Sequence, residues 1–244
     1  MTSQQFRRGV VVVSILVAAG ILFYSTQGNR QKTESSKRAL TVAAAADLNS
    51  TMGDIVAAFN AEHSDFQIGV TFGSSGNFFA QLSNHAPFDV FLSADSDYPK
   101  RLIEQNLAAA ESKFTYAVGR IVIWVPEKST IELASLGEKS LLDSGVRKIA
   151  IANPRYAPYG RAAEAALHRL GVYEQVKDKL VLGDNVAQTA QFIQSGAADI
   201  GIISKSQALA LGDAGRLWEI PPSAYPKIEQ AGVILSWAKD EAAA

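Results

Sequence analysis

The sequence predicts an α/β fold in two domains with a ligand cleft between them, and three observations support this prediction. Two series of short apolar strands alternate with helical runs, a long β-like run at 116–125 separates the series, and a last strand at 230–237 follows them. Strands and helices at this spacing are typical of βαβ units and parallel sheets. We therefore assign residues 39–118 to the first domain, which residues 228–244 rejoin, and residues 119–227 to the second.

The first 38 residues carry the features of an export signal or a membrane anchor. Arg7 and Arg8 precede an apolar run at 9–24, and a polar linker follows at 25–38. The run is short for a membrane span, which needs about 20 residues, yet no small-x-small cleavage site follows it. A cleaved signal peptide and an uncleaved anchor both stay open, and either predicts a periplasmic or other extracytoplasmic body. Because the sequence has no Cys, anchoring through a lipid-modified Cys is excluded.

Composition and charge exclude one class of partner. The 244 residues are 48% hydrophobic and 19% charged, which is an ordinary globular composition. Six of the 23 basic residues but only one of the 24 acidic residues fall in residues 1–38, so the rest of the chain has a net charge of −6. Since no basic stripe is available to neutralise phosphates, we expect no nucleic-acid partner. We expect the protein to be a monomer.

The first series begins with LTVAAAA at 40–46, an apolar run that predicts a buried strand. The run at 48–62 predicts an amphipathic helix, because apolar residues from Met52 to Phe59 recur at helical spacing. The remaining elements of this series are strands at 67–72 and 88–92, a helix after Ser75 and a helix near 98–105.

The second series repeats this order. Its strands are predicted at 148–152, 180–182 and 199–203, and its helices at 160–170, 186–194 and 206–211. Pro158 suits a helix start or a tight turn because proline fixes φ and lacks an N–H group. Asp184 and Asn185 are predicted caps of the second of these helices. Ligands in such sheets bind beyond the carboxyl ends of the strands, which with two facing sheets is the cleft between them.

Four loops at strand-to-helix junctions offer the same chemistry. They are Ala46-Asp47 and residues 73–76, 157–160 and 184–186. Each begins a helix whose first N–H groups have no intrahelical partner and lie at the positive end of the helix dipole. One such loop indicates no more than a capped helix, but two loops from each series are what a ligand held between two domains requires. We therefore predict a small oxyanion bound by neutral donors.

Charge and protonation narrow this prediction. No Arg or Lys lies inside the four loops, although Arg155 and Arg161 flank the third. The net negative charge repels an anion at long range, but the screening length is about 8 Å at physiological salt. The local dipoles of the loops therefore determine whether an anion binds. A site made only of donors satisfies an oxyanion without protons, whereas an oxyanion that keeps a proton also needs an acceptor.

Six motifs, in order along the chain, resemble one known family. They are AAAADL, GSSGN, DVFLSAD, FTYAVGR, NPRYAPYG and DNVAQ, and the resemblance spans residues 39–238. Together they resemble the molybdate- and tungstate-binding proteins of ABC transporters. The resemblance implies a periplasmic-binding-protein fold of type II that closes on molybdate or tungstate and delivers the ion to a permease. It implies no cofactor and no metal-cation ligands, and by position it implies as ion ligands Ala46, Asp47, Ser75 (hydroxyl and N–H), Tyr159 and Val186.

Some positions depart from the family pattern. Asp47 stands where the family often has Ser or Asn, and we expect its carboxylate to cap its own helix so that only its N–H group reaches the ion. In the alternative, the carboxylate faces the ion as an acceptor and favours protonated phosphate. Ser204 stands where some relatives have Tyr, a role that passes here to Tyr159. Relatives also continue through a further helix after residues 237–244, so we expect an exposed apolar face on the first domain and reduced stability.

Other functions fit the sequence less well. The serines of residues 73–77 do not match G-x-S-x-G, and His63, His85 and His168 are interpreted as surface residues, so we expect no enzyme. No Cys, no clustered His and no glycine-rich nucleotide motif occurs in the sequence. Binding of another tetrahedral oxyanion, phosphate or sulfate, and a role as a membrane-tethered oxyanion sensor stay open as alternatives.

Overall fold

Two mixed β-sheets of five strands each form the framework of the protein. The computed structural model describes residues 37–239, so the predicted export segment lies outside the described residues. The strands are β1 (Arg38–Ala45), β2 (Phe66–Gly73), β3 (Val90–Ser93), β4 (Phe114–Gly119), β5 (Ile121–Pro126), β6 (Ile149–Ala152), β7 (Leu180–Gly183), β8 (Ile200–Ser204), β9 (Gly215–Glu219) and β10 (Ile228–Ile234). The α-helices are α1 (Met52–Glu62), α2 (Ser75–Leu82), α3 (Asp97–Glu104), α4 (Leu133–Leu136), α5 (Pro158–Arg169), α6 (Tyr173–Val176), α7 (Val186–Gln194) and α8 (Lys205–Ala210).

The two sheets are built alike. The first has the strand order β2-β1-β3-β10-β4, and the second has the order β7-β6-β8-β5-β9. In each sheet the first three strands run parallel, and an antiparallel strand, β10 or β5, joins them to a fifth strand. The prediction of an α/β fold with parallel βαβ units is confirmed.

The chain crosses from the first sheet to the second at Arg120. The run predicted as one strand at 116–125 is two strands, because β4 ends at Gly119 in the first sheet and β5 begins at Ile121 in the second. Only Gly119 and Arg120 interrupt the β-like run at this junction, and the run was therefore interpreted as one strand. The chain returns through β10, which pairs with β3 and β4 in the first sheet.

Both sheets bury apolar faces, and this packing fixes the helices that begin at their carboxyl ends. Strand β5, with the sequence IVIWVP, is buried at every residue except Pro126, as expected for a strand covered on both faces. In the first sheet, Phe78 of α2 packs with Phe91 on one face, and Met52 of α1 packs with Val42 on the other.

Several elements differ from the sequence prediction. The helix predicted at 48–62 is divided into a 3-10 helix at Ala46–Ser50 and helix α1. Ile55, one of its predicted apolar residues, is 52% exposed. Strand β9 was not predicted, because it is an edge strand of mixed polarity, GRLWE, that pairs only with β5. Within residues 37–239, no helix combines the length and the hydropathy needed to span a bilayer.

Candidate functional site

A small cavity lies where the carboxyl ends of β1, β2 and β3 meet the first turns of α5 and α7. The residues that line it are Ala45, Ala46, Asp47, Gly73, Ser74, Ser75, Ala94, Ala157, Pro158, Tyr159, Asn185 and Val186. All four predicted junction loops contribute to this lining, and the five residues predicted to hold an ion are among its members. The cavity volume open to a water-sized molecule is only about 10 Å³, far below the roughly 300 Å³ at which pockets for drug-sized molecules begin.

Ser75 opens helix α2 and offers two donors. Ser74 is the N-cap, so the helix begins one residue earlier than predicted. The Ser75 Oγ accepts a hydrogen bond from the Ala94 N–H group at 2.9 Å, which leaves the hydroxyl proton of Ser75 for another acceptor. Gly73 permits the close turn before the helix, because a Cβ atom there would lie 2.9 Å from the Phe78 ring.

Ser74 is a lining residue that the sequence analysis did not single out. Its Oγ is buried, makes no capping bond and has no hydrogen-bond partner among the described residues. A buried hydroxyl without a partner is costly, and its place in the cavity lining makes it a further candidate donor to a ligand. The only sequence signal was its position between Gly73 and Ser75.

Helix α5 begins at Pro158, two residues before the predicted start at Gly160, with Ala157 as its N-cap. Because proline has no N–H group, the first free donor of this helix is the N–H group of Tyr159. Gly160 lets the helix start close to β6, since a Cβ atom at this position would lie 2.2 Å from the Ala152 carbonyl oxygen. A larger residue there would push the start of α5 out of the cavity wall.

Asn185 caps helix α7. Its Oδ1 accepts hydrogen bonds from the N–H groups of Ala187 and Gln188, both at 3.0 Å, which confirms the cap prediction for this residue. The prediction for Asp184 is wrong, because this residue instead donates its own N–H group to Gln188 Oε1 at 2.6 Å. The capping bonds bypass the first helical residue, so the N–H group of Val186 stays free of the cap.

Three helix N-termini therefore bring free N–H groups to one cavity. In the part of the chain that the structure describes, the N–H groups of Ser75, Tyr159 and Val186 donate to no protein acceptor. Each group lies at the positive end of its helix, an arrangement that binds anions. The cavity lining includes no Lys, Arg or His. Any attraction for an anion there comes from neutral dipoles.

Asp47 departs from its predicted role. It is 3% exposed and is the second residue of the 3-10 helix, whose N-cap is Ala45. Its Oδ2 accepts hydrogen bonds from the Tyr159 hydroxyl at 3.0 Å and from Gln230 Nε2 at 2.6 Å. The prediction that this carboxylate caps its own helix is wrong, because partners from α5 and β10 hold it instead. Its Oδ1 is buried and receives no hydrogen bond from another described residue.

Burial shapes the ionisation of this network. Burial raises the pKa of Asp47, and the hydrogen bonds from Gln230, from Tyr159 and from the backbone N–H group of Asp47 itself offset this shift only in part. Burial and the nearby Asp47 carboxylate likewise raise the pKa of Tyr159 and of Tyr116 above the usual tyrosine value. The Tyr159 hydroxyl, predicted as a donor to the ion, donates to Asp47. The cavity is therefore not made of donors only, because Asp47 adds an unsatisfied acceptor.

Hydrogen bonds join elements of the two sheets around the cavity. The Gly76 N–H group in α2 donates to the Tyr156 carbonyl oxygen at 2.9 Å. Gln207 Nε2 in α8 donates to the Ala46 carbonyl oxygen at 3.2 Å. Ser204, the position at which some relatives have Tyr, is the N-cap of α8 and does not line the cavity.

The two flanking arginines lie outside the cavity lining. The Arg161 guanidinium pairs with the Asp95 carboxylate and donates to the Tyr98 hydroxyl at 3.1 Å. The Arg155 guanidinium lies over the Tyr156 ring, 5.2 Å from its centroid. Positive charge therefore flanks the cavity without entering it.

The histidines are remote from the cavity. His63, His85 and His168 each pack against an aromatic ring, at centroid distances of 4.5, 4.9 and 3.8 Å, and none of them lines the cavity. Across residues 37–239, no three His, Cys, Asp or Glu side chains gather in an arrangement that could hold a metal cation.

Comparison with known proteins places this geometry in context. Residues 40–244 match the family described as bacterial extracellular solute-binding protein. The chain is 38% identical over 205 residues to the molybdate-binding protein ModA of Azotobacter vinelandii, covering 83% of this chain and 80% of that protein. It is 36% identical over 202 residues to ModA of Rhodobacter capsulatus, covering 83% of this chain and 78% of that protein.

The fold agrees with the sequence comparison. The solved structure of the periplasmic molybdate-binding protein of Azotobacter vinelandii matches with a TM-score of 0.76 and 33% sequence identity, covering 83% of this chain and 88% of that chain. The chain therefore belongs to the family of bacterial extracellular solute-binding proteins and has their two-domain α/β fold.

Proposed function

We propose that the protein captures molybdate or tungstate outside the cytoplasmic membrane and delivers the ion to the permease of an ABC transporter. The family supports a role in solute binding rather than catalysis. Two relatives at 36% and 38% identity are named as molybdate-binding proteins, which supports molybdate as the ion.

The observation that carries this proposal is the convergence of three unpaired helix N–H groups on one small cavity. The donors of Ser75, Tyr159 and Val186 come from three separate helices, and the Ser75 hydroxyl adds a fourth. Hydrogen bonds to an ionised acceptor are shorter and about twice as strong as neutral ones. We propose that the N–H groups of Ala46 and Asp47 complete the set of donors.

The size of the cavity and the directions of its donors favour a tetrahedral oxyanion. Four oxygens around one centre need donors from several directions, which a single helix N-terminus does not supply. The cavity volume of about 10 Å³ is too small for organic solutes. Since the donors belong to helices of both sheets, we expect a bound ion to stabilise the arrangement in which these donors face one cavity.

We propose the domain division at 39–118, 119–227 and 228–244 on the same grounds. It is supported by the change of sheet between β4 and β5 and by the return of β10 to the first sheet. The two domains then close on the ion as a monomer, without nucleic-acid partners, and the export segment at 1–38 directs the protein to the periplasm.

Calorimetric titration of the purified protein with molybdate, tungstate, sulfate and phosphate tests the proposal. We expect molybdate and tungstate to bind at least about tenfold more tightly than the other two ions, a difference of about 1.4 kcal/mol. Tighter binding of sulfate or phosphate, or no binding of molybdate and tungstate, would contradict it.

The mass of the exported protein separates the transport role from a membrane-tethered sensor. A mature chain that begins between residues 25 and 39 supports a released periplasmic protein. Retention of the apolar run at 9–24 in the mature protein would favour the tethered alternative.

A further inference from the structure

We infer that the oxyanion is bound together with one proton, which Asp47 Oδ1 shares with an oxygen of the ion. This inference rests on the proposed function and adds the protonation state of the bound complex. On this inference Asp47 both lines the cavity and determines the affinity for the ion.

The two oxygens of the Asp47 carboxylate differ in their hydrogen bonds. Oδ2 is saturated, because both the Tyr159 hydroxyl and Gln230 Nε2 donate to it. Oδ1 is buried, and no other described residue donates to it. The side chain is only 3% exposed and belongs to the cavity lining, so a ligand in the cavity is the available partner for Oδ1.

A fully deprotonated oxyanion cannot satisfy Oδ1, because both groups are acceptors. Two facing acceptors of negative charge repel, and a proton between them converts the repulsion into an O–H···O hydrogen bond. The ligand complex is thus completed by a proton that neither an ionised Asp47 nor a free dianion carries.

The surroundings of Asp47 offer no positive charge in place of the proton. Within residues 37–239, Asp47 takes part in no ion pair, and the groups that face it are the Tyr159 phenol from α5, the Tyr116 phenol from β4 and the Gln230 amide from β10. From α8, Ser206 Oγ donates to the backbone carbonyl oxygen of Asp47 at 3.5 Å and makes no hydrogen bond with the carboxylate of Asp47. Burial raises the pKa of Asp47, which also favours the protonated form.

The proton balance gives a measurable stoichiometry. When the free protein carries an ionised Asp47 and the free ion is a dianion, the complex forms from protein, ion and one proton taken from solution. No bond to the central atom of the ion changes. Replacement of Asp47 by Asn supplies a permanent amide donor at this position, so binding to the variant takes up no proton.

Molybdate titrations of the full exported protein between pH about 6 and about 9 test this inference. Buffers of different ionisation enthalpy report the number of protons taken up for each ion bound. In this range molybdate stays a dianion, and the ionised form of Asp47 becomes more populated toward the upper limit although burial raises its pKa. We expect about one proton taken up near pH 9 and affinity that falls toward tenfold per pH unit there.

The Asp47→Asn variant should show no proton uptake and a flat affinity over the same range, whereas Asp213→Asn, the same change at an exposed residue, should match the wild type. Equal pH dependence in the wild type and in Asp47→Asn, or no proton uptake by the wild type near pH 9, would overturn the inference. The wild-type proton count stands without the variant, and thermal melting shows whether Asp47→Asn is folded. Failure of the wild type to bind molybdate at any pH would refute the proposed function instead.

Discussion

Two aspartates that lie beside or just after strand β1 are almost equally buried, yet the pKa of one carboxyl is raised and that of the other is lowered. Asp89 is 5% exposed and lies beside Thr41 in the middle of β1, whereas Asp47 is 3% exposed and follows the end of the strand. Asp89 Oδ2 accepts from the Thr41 N–H group at 2.7 Å and the Thr41 hydroxyl at 2.6 Å, and Oδ1 accepts from the Lys239 N–H group at 3.2 Å. Asp47 receives both of its hydrogen bonds from other residues on Oδ2.

The difference lies in how completely each carboxylate is satisfied. Burial disfavours the charged form at both sites, but hydrogen bonds from Thr41 and Lys239 outweigh it at Asp89 and lower the pKa of that carboxyl. At Asp47 burial prevails and the pKa is raised. Asp89 is therefore a structural link between β1 and β3, and Asp47 is left with an acceptor at the end of the sheet where ligands bind.

The largest expected effect is the loss of stability on replacing Asp89. The Asp89→Ala change leaves the partly buried N–H group of Thr41 without its acceptor, and the Thr41 hydroxyl keeps the Pro87 carbonyl oxygen at 3.2 Å. We expect the free energy of unfolding to fall by about 3 kcal/mol, measured by urea denaturation at neutral pH. Molybdate affinity of the folded variant should not change, since Asp89 does not line the cavity.

Asp213→Ala is the matched control for Asp89→Ala, because it deletes an exposed carboxylate. Surface substitutions of this kind change stability by about 0.5 kcal/mol at most. A loss below about 1 kcal/mol in Asp89→Ala would show that the Thr41 pair does not carry the stability assigned to it.

Ser75→Ala should show the reverse pattern, with affinity changing more than stability. The substitution removes a hydroxyl donor to an ionised ligand, worth about 1.5–3 kcal/mol, or about 10- to 150-fold in the molybdate dissociation constant. Calorimetric titration measures this change. Ser195→Ala, which removes an exposed hydroxyl at the end of α7, is the control and should bind like the wild type. Unchanged affinity in Ser75→Ala would make the loop at 73–76 structural only.

The sequence predicted the elements whose signals are local. Helix α7 was predicted at the observed residues, 186–194, because Asn185 caps its start and Ser195-Gly196 follows its end. Pro158, which was interpreted as suited to a helix start or a tight turn, is the first residue of α5, although the helix was predicted only from Gly160. Both signals act within one or two turns of the helix that they bound, so no tertiary information is required.

The sequence could not predict what depends on distant partners. Gln230, which draws the Asp47 carboxylate away from its own helix, lies 183 residues along the chain. The side-chain oxygen of Asp47 was therefore assigned to the nearest N–H groups, which was wrong. Ser74 and Ser75 look equivalent in sequence. In the structure, Ser75 Oγ accepts a hydrogen bond from the Ala94 N–H group, whereas Ser74 Oγ has no partner among the described residues.

The dependence of stability on pH should have opposite signs at the two aspartates. Asp89 has a lowered pKa. Its contribution to the free energy of unfolding is therefore present above pH 3.8, the ordinary aspartate pKa, and is lost as the pH falls through the lowered pKa. Asp47 has a raised pKa, so its contribution is present below 3.8 and is lost as the pH rises through its raised pKa.

Urea denaturation of the ion-free protein at several pH values, with Asp47→Asn and Asp89→Asn beside the wild type, measures these contributions. We expect the stability of Asp47→Asn relative to the wild type to rise as the pH increases above about 4, and that of Asp89→Asn to rise as the pH falls below it. A constant difference between Asp47→Asn and the wild type would mean that Asp47 has the same pKa in the folded and unfolded chain.

The smallest expected effect concerns Arg161, and it tests whether the cavity binds its ion by neutral dipoles. Arg161 pairs with Asp95 and Tyr98 at the edge of the cavity, and both members of the ion pair are partly exposed. Exposed ion pairs contribute about 0.2–1 kcal/mol and weaken in salt. The Arg161→Gln change should therefore raise the molybdate dissociation constant by about fivefold at most, and by less at high ionic strength. A loss of molybdate affinity of about a hundredfold, larger than that in Ser75→Ala, would mean that Arg161 binds the ion directly. Such a loss corresponds to about 2.7 kcal/mol, which is more than an exposed ion pair contributes.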